Sequence, residues 1–262
     1  MGILNVTHDS FSDGGRFHNF DAAVAQGEKM AEEGADMVDV GGESTRPGSR
    51  PVPVEEEAER VIPVVKHLAR NLPIPISIDT CKAEIARRAL DAGAEIVNDV
   101  SAFGFDEEMI SVVRDSGCPA IIMHMRRTPK DMQHDPHYDA LMPEIISFLR
   151  ERIQYAAERG VSAERLVVDP GIGFGKTVEH NLEILRELDR LRALGRPILV
   201  GTSRKATIGA VLDAEVHDRV EGTAATVALA IANGAHIVRV HDVKELTRVA
   251  KMTDAIIGRR WD

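Results

Sequence analysis

The sequence is short of cysteine, has no long apolar run and carries no basic excess. Cys81 and Cys118 are the only two cysteines among 262 residues. They lie far apart and in no CxxC or metal-type spacing, which excludes a disulfide scaffold and a structural zinc site and fits a reduced cytoplasm. No apolar stretch approaches the roughly eighteen residues that span a bilayer, and the N-terminus lacks the charged-then-apolar order of a signal peptide. A formal net charge of −10 leaves no basic face for duplex nucleic acid, so an anionic substrate would need a local cluster of cations. No GxGxxG follows a first strand, and GIGFGKT lacks the GxxxxGK[ST] spacing that wraps phosphates at a helix start.

What is present is alternation. Short Val- and Ile-rich runs alternate with longer helical patterns, the mark of successive βα units around a buried parallel sheet. Eight strands are expected: 2–6, 36–40, 75–78, 95–98, 119–123, 165–168, 197–201 and 236–240. Helical spacing covers 22–33, 54–69, 82–92, 140–159, 178–193 and 222–233. Gly34, Gly93, Gly160 and Gly234 stand where helices should stop, since glycine takes the left-handed cap conformation cheaply. At this length one α/β domain, a single (β/α)8 TIM barrel over 1–262, is expected; a doubly wound open sheet would ordinarily have fewer strands and a glycine-rich first turn.

Parallel barrels place their sites at the carboxyl ends of the strands. Here those ends are polar in every case: Asn5; Glu43, Thr45 and Arg46; Asp79; Asn98; His124; Asp169; Lys205; and Arg239 with His241. Turn and cap chemistry accounts for one such residue. It does not account for eight in register. Asp169 and Asn98 suit the guanidine-like edge of a flat, nitrogen-rich ring, Lys205 a carbonyl on the opposite edge, Arg239 the ring face, and Asp79 adds an acceptor. Asn5, Arg239 and His241 suit an anion and a divalent cation, as a phosphorylated leaving group would need. Gly171, Gly173 and Gly175 are expected to form a flexible loop that lets Phe174 lean over the site, while SFSDGG and RPGSRPVP have the composition of mobile lids.

The series MGILNVTHDSFSDGG, GGESTRPGS, SIDT, NDVSA, MHMR, DPGIGFGKT, SRK and RVHDV resembles, in order and from end to end, the motifs of the dihydropteroate synthase family. The resemblance implies a transferase of folate biosynthesis. It would join 4-aminobenzoate to 6-hydroxymethyl-7,8-dihydropterin diphosphate, with magnesium assisting the leaving group and a homodimer built on outer helices. Carried over by motif, Asp79, Asn98, Asp169 and Lys205 would bind the pterin, with Met123 lining its pocket and Arg239 stacking on it. Asn5 would bind Mg2+, and Asn5, Thr45, Arg239 and His241 would surround the diphosphate. Phe11, Thr45, Pro47, Phe174 and Lys205 would form the aminobenzoate pocket, and Asp79, Lys205, Arg239 and His241 would carry the chemistry. Departure of diphosphate leaves a resonance-stabilised methylene cation that the uncharged aryl amine traps, so no strong general base is required.

Three residues depart from the family pattern: His8 where proline is usual, Arg127 after MHM, and Ala206 after SRK. All three bear on the aminobenzoate side. Two rival readings share the ring chemistry: a methyltransferase using methyltetrahydrofolate, and a non-catalytic pterin-binding barrel. The first would not need SRK with RVH, and the second would be expected to have lost the anion end.

Overall fold

The computed structural model describes residues 1–7, 15–44, 49–127, 132 and 135–259. Six strands form one parallel sheet in sequence order: β1 (Gly2–Asn5), β2 (Val38–Gly41), β3 (Ile76–Asp79), β4 (Ile96–Asp99), β5 (Ala120–Met123) and β6 (Leu166–Asp169). Two shorter strands, β7 (Leu199–Val200) and β8 (Ile237–Val238), pair with each other. Parallel bridges from Val168 to Ile198 and from Val240 to Gly2 join this pair to β6 and β1. The eight strands therefore close into the expected (β/α)8 barrel, whose edges disappear.

The helices are α1 (Gly15–Glu32), α2 (Val54–Asn71), α3 (Ala83–Asp91), α4 (Met109–Ser116), α5 (Leu141–Glu158), α6 (Val178–Arg186), α7 (Ala206–Leu212), α8 (Val220–Ala232) and α9 (Val243–Ile256). Each buries one stripe against the sheet. In α2, Ala58, Val61, Val64, Val65 and Leu68 recur at three- and four-residue spacing and are buried, while Glu55, Glu56 and Glu57 put negative charge on its first turn. All four expected stop glycines have positive φ, between 88° at Gly160 and 112° at Gly93.

The boundaries differ from expectation where periodicity is weak. Helix α1 begins seven residues earlier than its apolar pattern. Helices α4, α7 and α9 carry no expectation, the first two being only eight and seven residues long. The pattern over 178–193 is not one helix: α6 stops at Arg186, and a 3-10 segment, Leu188–Leu194, follows. At this stop Asn233 Nδ2 donates to the Leu185 carbonyl at 2.7 Å and satisfies one of the helix's terminal acceptors. Strands β7 and β8 are only two residues each, shorter than the expected 197–201 and 236–240. No helix of the described residues is long and apolar enough to cross a membrane.

Candidate active site at the barrel mouth

The strand register puts the polar residues in layers. Asn5, Gly41, Asp79 and Asn98 are successive partners across β1 to β4, and Met123 pairs with Asp169 across β5 and β6. Gly41 leaves the space a side chain would fill, since a Cβ there would sit 3.4 Å from that of Asp79. One layer deeper, on the same face two residues earlier, lies Asp39, which is completely buried.

Asp39 is the residue that strand-end reasoning missed, and it organises one side of the mouth. Its Oδ2 accepts from Arg239 Nε at 2.6 Å and from Asn98 Nδ2 at 2.9 Å. Arg239 Nη2 reaches Asp79 Oδ2 at 2.7 Å. Residues expected to serve the pterin and the anion are thus joined through one carboxylate. The guanidinium of Arg239 extends across the barrel floor between Asp39 and Asp79. Burial works to lower its pKa, but the two carboxylates outweigh burial and hold it above its ordinary value. Burial pushes Asp79 up to about 7, with Arg239 pulling it partly back and Asp39 adding to the rise.

The opposite side is built from carbonyls. Lys205, just before α7, donates to the Ile172 carbonyl, and its Nζ lies 4.8 Å from the Phe174 ring centroid. Burial lowers Lys205 to about 8, opposed by Asp169. Asp169 is raised by burial, opposed by Lys205 and by the Gly171 N–H, which donates to its Oδ1 at 2.7 Å. Met123 is buried in a small apolar cluster with Val100, Met125 and Met132, against which Phe174 and Cys81 pack.

The expectation of a flexible glycine loop after β6 is not met. Gly171, Gly173 and Gly175 all take positive φ and wind the chain into a tight turn that is fastened at every step. Gly173 N donates to Asn181 Oδ1 at 2.8 Å, and Asn181 in turn donates to Thr207 Oγ1 at 2.8 Å. Tyr138 Oη donates to the Gly175 carbonyl at 2.8 Å. The turn ends in a capping box, Thr177 Oγ1 accepting from His180 N and His180 Nδ1 from Thr177 N. A Cβ at Gly171 would stand 2.0 Å from the His124 carbonyl, so only glycine fits. Its glycines serve close approach and left-handed geometry, which in sequence look the same as flexibility.

His241 hydrogen-bonds through Nδ1 with Ser203 Oγ at 2.9 Å, and Arg204 pairs with Asp242, so the exits of β7 and β8 are stitched together. Lys82 is held by Glu43 and Glu57 at the foot of the segment after β2. Asn5 is half-buried at the β1 exit. Phe11, Thr45, Arg46 and Pro47, with the departure His8, lie outside the described residues. Of the other departures, Arg127 has positive φ and is exposed, and Ala206 is the exposed first residue of α7.

Among the described residues no three His, Cys, Asp or Glu side chains converge to hold a metal ion. The amide oxygen of Asn5 is nevertheless the hard donor that magnesium accepts, and magnesium commonly takes one or two protein ligands and completes its shell with water and substrate phosphate. The residues present fit such a partial site.

A family model described as pterin binding enzyme matches residues 1–241. The dihydropteroate synthase of Synechocystis is 48% identical over 257 residues, 98% of this chain and 89% of that one. A sulfonamide complex of the Yersinia pestis dihydropteroate synthase superposes with a TM-score of 0.94 at 41% identity, covering 98% of this chain and 94% of the other. The Xanthomonas albilineans dihydropteroate synthase, solved with 4-aminobenzoic acid, gives 0.93 at 46% identity, covering 99% and 93%. With its barrel, its strand-end ring and its near full-length likeness to these enzymes, the chain belongs to the dihydropteroate synthase family of pterin-binding enzymes.

Proposed function

We propose that the mouth of this barrel joins 6-hydroxymethyl-7,8-dihydropterin diphosphate to 4-aminobenzoate, releasing diphosphate and 7,8-dihydropteroate. The chain is a transferase of this type, and the observation that carries the site assignment is that Asp169, Asn98 and Asp79 stand at the strand exits with Arg239 bonded to Asp79 and with Asp169 close enough to Lys205 and Arg239 to couple electrostatically with both. The pterin lies over this floor. Asp169 and Asn98 pair with its nitrogen-rich edge, Lys205 donates to the carbonyl edge, Met123 packs beneath it, and Arg239 presents its guanidinium to the ring face.

The chemistry asks for separation of charge rather than for a base. As the bond to diphosphate breaks, the Asp79 carboxylate lies near the developing methylene cation, and Arg239 and His241 face the departing anion. Ser203 orients His241 through Nδ1. Asn5 would hold Mg2+, which when bound neutralises diphosphate oxygens. Phe174 and Lys205, with Phe11, Thr45 and Pro47 of the first two exits, receive the aminobenzoate. The retained anion end argues against a non-catalytic binding barrel.

The same reading makes one domain of residues 1–262, places it in the cytoplasm and pairs it with a second copy through the outer helices. Exposed large apolar side chains support the pairing: Val211 and Leu212 on α7, Leu229 on α8, and Met252 and Ile256 on α9, the last 72% exposed. Light scattering at assay concentration tests it, with twice the chain mass expected.

The activity test mixes the protein with pterin diphosphate, Mg2+ and 4-aminobenzoate. Diphosphate release that requires both the aryl amine and the metal is expected. Release without the amine, or none at all, overturns the reading.

A further inference from the structure

Lys176 belongs to none of the substrate contacts above, yet it is among the most deeply buried charged side chains, only 3% exposed. Its Nζ reaches three acceptors: His124 Nδ1 at 3.0 Å, the Phe174 carbonyl at 2.9 Å and the His124 carbonyl at 3.3 Å. An ammonium has three donors, and all three are used. His124 is itself 5% exposed and lies edge-on to Phe148 with ring centroids 5.0 Å apart. Its backbone N donates to the Asp169 carbonyl at 2.9 Å. One residue of the β5 exit thus touches both ends of the turn after β6.

We propose that Lys176 is a positioning residue: it clamps the 171–176 turn to the exit of β5 and so sets where Phe174 and Lys205 receive the aryl amine. Both lysines grip the turn, Lys205 on the Ile172 carbonyl and Lys176 on the Phe174 carbonyl two residues on. Without the second grip, Phe174 is free to swing away from the Lys205 ammonium, whereas Asp169 keeps its own bonds to Gly171 N and His124 N. The effect therefore falls on the aminobenzoate side more than on the pterin side. Burying a lysine is costly unless every donor is matched. Burial lowers Lys176 to about 7 and His124 to about 2, which leaves the imidazole neutral and able to accept at Nδ1. An apolar residue would fill this space at less cost but would make none of the three bonds.

This inference rests on the transferase reading, and its test has a readout apart from activity. Lys176→Met in the full chain is expected to raise KM for 4-aminobenzoate by about tenfold while KM for pterin diphosphate moves by less than about threefold. Amide hydrogen exchange over 171–176 should quicken by about tenfold or more, with β1 to β4 unchanged. Lys176→Arg, which keeps charge and donors, should restore most of the protection and bring KM back to within about fivefold of the unsubstituted protein. If the Met variant does not fold, Lys176→Gln carries the same comparison. A parallel rise of both KM values, or unchanged exchange over the turn, overturns the proposal. If the unsubstituted protein releases no diphosphate, the transferase reading fails, while the exchange data still decide whether the clamp exists.

Discussion

The two sides of the barrel mouth hold their cations by opposite means. On the side of β2, β3 and β8, Arg239 lies between two carboxylates, and its charge is matched before any substrate arrives. On the side of β5, β6 and β7, Lys205 and Lys176 donate to backbone carbonyls and an imidazole, with Asp169 the nearby anion that holds their protons. The first pair raises the pKa of its cation and the second arrangement lowers both of its own. Matched charge suits a rigid floor that would support charge separation; Lys176 has all three donors taken, whereas Lys205, donating to the Ile172 carbonyl, would keep donors for an incoming carbonyl or carboxylate.

Breaking either side should stop the enzyme, and Asp79→Asn and Lys205→Ala are expected to have the largest effects. Each should lower kcat/KM by about a thousandfold with the circular dichroism and Tm of a folded barrel. Near-normal turnover by either variant would remove the assignment. Asp39→Asn is next. It leaves an oxygen to accept from Asn98 but takes one of the two charges from Arg239, so kcat should fall by about tenfold to a hundredfold. Chemical denaturation should show a loss of about 1–3 kcal/mol.

The contrast also predicts a pH dependence. Asp79 has to be ionised, so kcat/KM should rise with pH through about 7; Lys205 has to be charged, so it should fall as pH passes about 8. Assays at constant ionic strength should give a narrow bell between those values, and a flat profile contradicts the assignment. The smallest effect is expected from Thr177→Ala. It removes the cap that ends the turn, with a cost of about 1 kcal/mol in stability and a Tm lower by a few degrees.

Much of this was readable from strand ends. Asn5, Asp79, Asn98, Asp169 and Arg239 stand at the exits of the strands expected to carry them, because a parallel barrel leaves only the carboxyl ends open to a ligand. Asp39 was not readable that way, since it sits inside β2 between Val38 and Val40. The available signal was a charged residue in a run that should be wholly apolar, which in a buried strand calls for a buried partner. Lys176 was hidden for another reason. A lysine after three alternate glycines looks like a solvated loop residue, and only the folded turn shows its ammonium directed inward. Helices α4 and α7 are too short for periodicity to separate them from turns.

The most direct measurement is titration calorimetry of 6-hydroxymethyl-7,8-dihydropterin diphosphate with Mg2+, without the aryl amine, into the protein and into its Asp169→Asn variant. Stoichiometric binding is expected for the first and an affinity at least about a hundredfold weaker for the second, at unchanged Tm. Equal affinity in the two would contradict a pterin site on this barrel floor.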